Sequence, residues 1–219
     1  DLRHFLGDPS PALTEAEDIR ALVATMASLV RSKNALAEAT AAERARLADA
    51  GSRLTQLISA ETDLARLRIT AGIWQMYAAP DGQSLRPMLD RLADTDFFAF
   101  ERIRALAEAT ATLTRAVQQV ADSMQAESLA ALQARMEDAL QLALTRTPYL
   151  PTAPATKAAE ADLAIFRDAL GDRGLIALKR DELAALAELS GLSVQLQDRL
   201  AVLTKEARAG QEGARALMK

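Results

Sequence analysis

Enzymes and metal centres draw on a short list of side chains at set spacings, and this chain holds few of them. It has no cysteine and one histidine, His4. A helical zinc site needs His and carboxylate one turn apart, and a di-metal bundle site needs Glu-x-x-His on two helices. Neither pattern occurs, so no metal ligand is assigned. No Cys or Ser–His nucleophile has a partner, and no Gly-rich phosphate loop is present. No catalytic residue is assigned, no cofactor is expected, and His4, in a weakly patterned segment, reads as structural. Acid–base work by two carboxylates stays open, since Asp and Glu are plentiful, but no spacing points to a pair.

Three sets of residues have types suited to binding a ligand or a partner. Glu61 falls inside an apolar stripe, where an unpaired carboxylate is costly. Either it is functional, or Ile58 takes the inward position and Glu61 sits at the margin. Trp74 and Tyr77 precede a Pro80-Asp81-Gly82 turn, and would frame a pocket or partner surface or else plug a bundle end. Phe97, Phe98 and Phe100 are followed by Arg102 and Arg104, an apolar and cationic set suited to an anionic ligand or, alternatively, to a core plug with solvated arginines.

The elements that position these residues are helices. Apolar residues recur at steps of three and four along most of the chain, and no strand pattern competes. Thr14 with Glu17 forms a capping box that opens a first helix with a stripe Ile19, Leu22, Met26, Leu29, Lys33, Leu36. Thr40 with Glu43 forms a second, predicting a break near Thr40. The next stripe is Leu47, Ala50, Leu54, Leu57, Glu61, Leu64, Leu67, Ala71, Trp74, Ala78. Ser84 caps a short helix over 85–93, and Thr95 or Asp96 caps a long one with the seam Ile103, Leu106, Thr110, Leu113, Val117, Val120, Met124. Unbroken from Asp96 to Thr145, that helix would be about 75 Å long; a hairpin near Ser123–Ser128 is the alternative. Residues 147–156 hold three of the seven prolines and read as a loop before a helix over 157–170. Gly171-Asp172-Arg173-Gly174 stops that helix, and the last runs from about Leu175 to the end. Its stripe is Leu189, Leu192, Leu196, Leu200, Leu203, Ala207, Gly210, Ala214, Leu217, with an eleven-residue step at Leu196–Leu200. The small residues at Ala207, Gly210 and Ala214 would let a partner helix approach closely and slide.

Composition agrees. Half of the 219 residues are apolar, 48 are alanine and only 4% are aromatic, so the core is Leu/Ala. That suits closely packed helices better than a sheet sandwich. The fold class is therefore all-α, an elongated antiparallel helical bundle. Net charge is −4, with 21 Arg interleaved among acids. A clustered basic face is what nucleic acid requires, and none is present. The longest uncharged stretch, Ile69–Pro80, is twelve residues, short of the roughly 20 that cross a bilayer. The chain opens at Asp1 without Met and stops at Lys219 inside a helical pattern, which reads either as a piece trimmed short of a membrane span or as a processed chain or frayed terminal helix.

Two stretches carry a family resemblance. Gly171-x-x-Gly174-Leu-Ile-x-Leu-Lys-Arg-Asp-Glu-Leu183, followed by a long Leu/Ala helix, resembles the closing part of periplasmic sensor regions of bacterial transmembrane hybrid histidine kinases of the trimethylamine-N-oxide-sensor type. Leu36-Ala-Glu-Ala-Thr-Ala-Ala-Glu-Arg44, with the helix over 19–30, resembles their opening part. The helical bimodular domains of chemoreceptors are a looser match. The resemblance implies two stacked four-helix bundles sharing long helices over 1–219, with both termini returning to the membrane and the HAMP linker and kinase core outside this piece. It implies a homodimeric parent anchored in the inner membrane, with this part on the periplasmic side.

The expected function is extracytoplasmic sensing for a two-component system, without catalysis in this piece. A small-molecule ligand or a ligand-loaded periplasmic binding protein would bias two packings of the bundle, and the terminal helices would carry the change to the membrane. The rival readings are a non-sensing structural or adaptor bundle and the ligand-binding region of a methyl-accepting chemotaxis receptor. The residues expected to meet ligand or partner are Trp74, Tyr77, Phe97, Arg102, Arg104 and Glu61.

Overall fold

The computed structural model describes residues 11–79 and 85–217. All of its regular elements are helical, and no strand occurs among the described residues. Helix α1 spans Pro11–Tyr77, α2 Arg86–Arg91, a π-helical turn Leu92–Phe97, α3 Phe98–Asp122, α4 Ala126–Arg146, a 3-10 turn Thr147–Tyr149, α5 Ala153–Ala169 and α6 Leu175–Leu217. The chain divides into two compact units, one of residues up to Ala37 with those from Asp181 onward, the other Glu38–Arg180. His4, the Pro80-Asp81-Gly82 turn and Ser84 lie outside the described residues.

Unit 38–180 has a complete core. The predicted α3 seam is buried from Ile103 to Val120, facing Leu129, Leu132, Met136, Leu140 and Ala143 of α4 and Leu163 and Phe166 of α5. Helix α1 contributes Leu47, Ala50, Leu54, Ile58, Glu61 and Ala65. Of the expected stripe, Leu47, Ala50, Leu54 and Glu61 are buried, while Ile58 and Ala65 take the inward positions in place of Leu57 and Leu64, because the steps 47–50–54–58 and 58–61–65–69 each close on eleven residues. A straight helix drifts about 20° per heptad, so a strict 3-4 stripe cannot keep facing one core over five turns. The eleven-residue register is thus in α1, not at Leu196–Leu200. Gly51 makes the packing close: a Cβ there would lie 2.8 Å from Thr114 Oγ1 and 3.6 Å from Phe166 Cζ. At the same level Arg53 donates to Asp162 Oδ1 from Nε at 2.9 Å and Nη2 at 2.5 Å, tying α1 to α5. That hydrogen bond raises the guanidinium pKa above its ordinary value.

Several predicted boundaries are corrected. Thr40 does not mark a break; it is buried in the middle of α1. No Gly or Pro falls between Pro11 and Gly51, and a cap sequence ends nothing when the preceding residues are good helix formers. Thr14 and Glu17 likewise lie inside α1. Thr95 and Asp96 cap nothing, since the chain continues through them as the π turn. The long helix after Asp96 is broken at Ser123–Gln125, which are extended. The Ser123 and Ser128 hydroxyls share a hydrogen bond at 2.5 Å, and both lie within reach of the Gln125 carbonyl, at 3.1 and 2.7 Å, which accepts from whichever of them keeps its proton free. Met124, the predicted end of the seam, is consequently exposed. The proline-rich loop is shorter than expected, because Thr152 caps α5 by accepting from Ala155 N at 3.3 Å, with Pro154 tolerated in the first turn. The Gly171–Gly174 stop falls as predicted. A Cβ at Gly174 would lie 2.2 Å from the Ala169 carbonyl oxygen, so only glycine fits there.

The other unit pairs the first part of α1 with the latter part of α6, antiparallel. Arg199 of α6 reaches Asp18 at 2.6 Å and Glu15 at 3.3 Å. The predicted α1 stripe from Ile19 to Leu36 is half-buried. On α6, Leu189, Leu192, Leu196 and Leu203 are half-buried, whereas Leu200 points outward and Arg199 takes its expected place. Hydrogen bonding to Asp18, then Coulomb attraction from Glu15, raises the Arg199 pKa. Ala207 is exposed, and the side chains of Gly210, Ala214 and Leu217 lie outside what the structure describes. Ala185 is the one buried apolar side chain of this unit among the described residues.

Candidate functional site

Beyond Glu61, the last stripe residue that stays buried, the original 3-4 stripe does not vanish; it turns to the outside. Leu64, Leu67, Ala71, Trp74 and Ala78 are all exposed, Leu67 to 65% and Trp74 to 69%, and Tyr77 beside them to 82%. Their spacing keeps them on one face of the helix. Trp74 and Tyr77 meet edge to face, with ring centroids 6.5 Å apart. These two do not plug the bundle. They close an uncovered apolar ridge on unit 38–180, of the composition found at the centre of protein interfaces.

The other candidates are not gathered with them. Phe97 is exposed at the end of the π turn, as is Phe98 at the start of α3. Arg102 stacks over the Tyr149 ring, 3.9 Å from its centroid, a cation–π contact that clamps α3 to the 3-10 turn. Arg104 forms an exposed pair with Glu108 at 3.3 Å, one helical turn along α3. Glu61 is neither marginal nor replaced by Ile58; both are buried, Glu61 to 6% exposure. Its Oε1 accepts from Thr152 Oγ1 at 3.3 Å, and its Oε2 is buried without a donor among the described residues.

A second feature went unread in the sequence. Antiparallel α1 and α2–α3 are registered by Gly72 against Leu92 and by Arg66, whose guanidinium lies 6.0 Å from the Phe100 centroid. Between them lies a recess of about 400 Å³ holding Arg68 and Gln75 of α1, Arg91 of α2 and Asp96 of the π turn. Each looks like an ordinary surface residue in sequence, and only the register of two helices brings them together.

Among the described residues, no cluster of three or more His, Asp or Glu is arranged for a metal, and no helix is long and apolar enough to cross a membrane. No family model and no curated protein matches the chain. A solved structure does: the TorS sensor domain in complex with TorT in the presence of TMAO. The match has a TM-score of 0.78 at 14% identity, covering 90% of this chain and 73% of that one. At that identity the likeness is one of fold, and the chain has the fold of a helical sensor domain.

Proposed function

We propose that this chain is the extracytoplasmic signal-sensing domain of a transmembrane sensor histidine kinase, on the periplasmic side of the inner membrane. Its input is a ligand-loaded binding protein that docks on unit 38–180. The observation that carries the docking reading is the exposed ridge Leu64–Leu67–Ala71–Trp74–Tyr77. A monomeric domain rarely leaves such a contiguous apolar run uncovered without a use for it. The structural neighbour supports the kind of partner, since it was captured with TorT.

Output would pass through α6, which pairs with the start of α1 in the other unit. Packed helix pairs have discrete alternative registers, so a small displacement travels along a rigid helix. Among the described residues that unit supplies two helices and almost no buried side chains of its own, so a second copy would complete a four-helix unit in a homodimer.

Trp74 is the chain's single tryptophan, which makes the test direct. Purified solute-binding proteins, loaded and unloaded, are titrated against the chain while Trp74 emission is followed. A saturable blue shift with one loaded binding protein, weakened tenfold or more by Leu67→Ser or Tyr77→Ser, is expected for an interface anchor worth about 1.4 kcal/mol or more. Binding that is indifferent to both substitutions removes the ridge from the docking surface.

A further inference from the structure

The recess between α1 and the π turn has the makings of a second, direct input. We infer that it binds a small hydroxy- or amino-carboxylate. Its volume, about 400 Å³, falls in the range of small-ligand sites. Two features of the backbone create it. Gly72 brings α1 close to Leu92 and lines the wall without a side chain, since a Cβ there would meet Leu92 Cδ1 at 3.3 Å. The π turn supplies the other. Residues 91 and 96 would lie about 140° apart around an α-helix; the wider π winding, with its i to i+5 bonds, brings such residues to one side. Arg91 and Asp96 both line the recess for that reason.

The chemistry of the lining fixes the ligand class. Arg68 and Arg91 stand on facing walls, and among the described residues neither is ion-paired or hydrogen-bonded through its side chain. Arg46, Arg53, Arg66, Arg104 and Arg199 all have acids within 4.0 Å by contrast. Two guanidiniums sharing one concavity repel each other, and an oxyanion between them converts that repulsion into two charge-assisted contacts. Gln75 adds an amide donor on the α1 wall. With Asp96 present the recess carries a formal charge of +1, which a monoanionic carboxylate neutralises, whereas a phosphate dianion would face the Asp96 carboxylate. Asp96, an acceptor, takes a hydroxyl or ammonium on the same molecule.

The four side chains come from the ends of α1 and α2 and from the π turn, so a bound carboxylate would bridge two segments next to the docking ridge. The inference does not rest on the docking reading, because binding is read on the chain alone.

The test uses the intact chain and isothermal titration with glycerate, lactate and serine, with propionate as the donor-less control and inorganic phosphate as the rival anion. A hydroxy or amino acid is expected to bind with a Kd of about 1 mM or below and propionate more weakly. Arg68→Gln and Arg91→Gln should each weaken binding about tenfold, as expected for a lost charged hydrogen bond. Asp96→Ala, which removes the acceptor, should erase the preference for lactate over propionate, a readout that a merely structural role would not move. All three positions are at the surface, and an unchanged thermal transition confirms that each variant folds. Saturation by no carboxylate, equal binding to Arg68→Gln/Arg91→Gln, or tighter binding of phosphate than of any carboxylate would each overturn the assignment.

Discussion

Glu61 shows how much a single residue can say. A carboxylate at 6% exposure, with one oxygen accepting from Thr152 and the other meeting no donor among the described residues, costs stability that an apolar side chain of similar size would not. Glu61→Leu should therefore raise the unfolding free energy by about 1 kcal/mol, or the melting temperature by about 2–4 °C for a chain of this size. Thr152 keeps its cap on Ala155 in that variant, so α5 loses no anchor. A fall in melting temperature would mean that Oε2 holds something the fold depends on. Gly174 works in the opposite direction. With its Cβ position 2.2 Å from the Ala169 carbonyl, Gly174→Ala must push α5 and α6 apart at their turn. A loss of about 2–3 kcal/mol, at the upper end of overpacking costs, is expected in urea unfolding. A change within 0.5 kcal/mol, the ordinary range for a neutral surface substitution, would show that the turn yields.

Among the elements, α1 explains both what could be read in the sequence and what could not. Helical class was plain from the 3-4 recurrence, and the α3 seam came out from Ile103 to Val120, with Met124 lost past the helix end, because α3 is short enough for a heptad stripe to stay on one face. Helix α1 is too long for that. Its core register moves to Ile58, Glu61 and Ala65 while Leu64, Leu67 and Trp74 rotate outward, and nothing local in the sequence announces the change. Capping boxes misled at Thr40 because they are local signals, and α1 is continued by alanine-rich flanks. Trp74 and Tyr77 could be picked out by type alone, whereas Arg68 and Arg91 could not, since their meeting depends on the α1–α2 register. The approach of α1 to α3, elsewhere along the same helix, can be probed at Gly51. Alanine there gains about 1 kcal/mol of helix propensity but places Cβ 2.8 Å from Thr114 Oγ1. Gly51→Ala should thus be neutral or destabilising alone and stabilising in a Thr114→Ala background. Additive effects in that double-mutant cycle would contradict the close approach.

For the molecule as a whole, the two units differ in whether they can bury a core by themselves. Unit 38–180 has buried side chains from α1, α3, α4, α5 and the first turn of α6. The other unit has Ala185 and two half-buried stripes, and leaves Val23, Val30, Val194, Leu200 and Val202 each more than 40% exposed. Two helices with so little buried surface are marginal, since isolated helices draw most of their stability from packing an apolar face. Adding the same two helices from a second copy would double the faces available and is the closure that symmetric self-association favours. The chain should therefore show a reversible monomer–dimer equilibrium in sedimentation analysis, with a melting temperature that rises with concentration. Val30→Glu and Val194→Glu, placed on the exposed faces of α1 and α6, should each weaken dimerisation about tenfold or more, because each would bury an unpaired charge at the contact. Neither should disturb unit 38–180, whose own transition serves as the internal control. A chain that stays monomeric at millimolar concentration, or a dimer that tolerates both charges, would move the contact elsewhere.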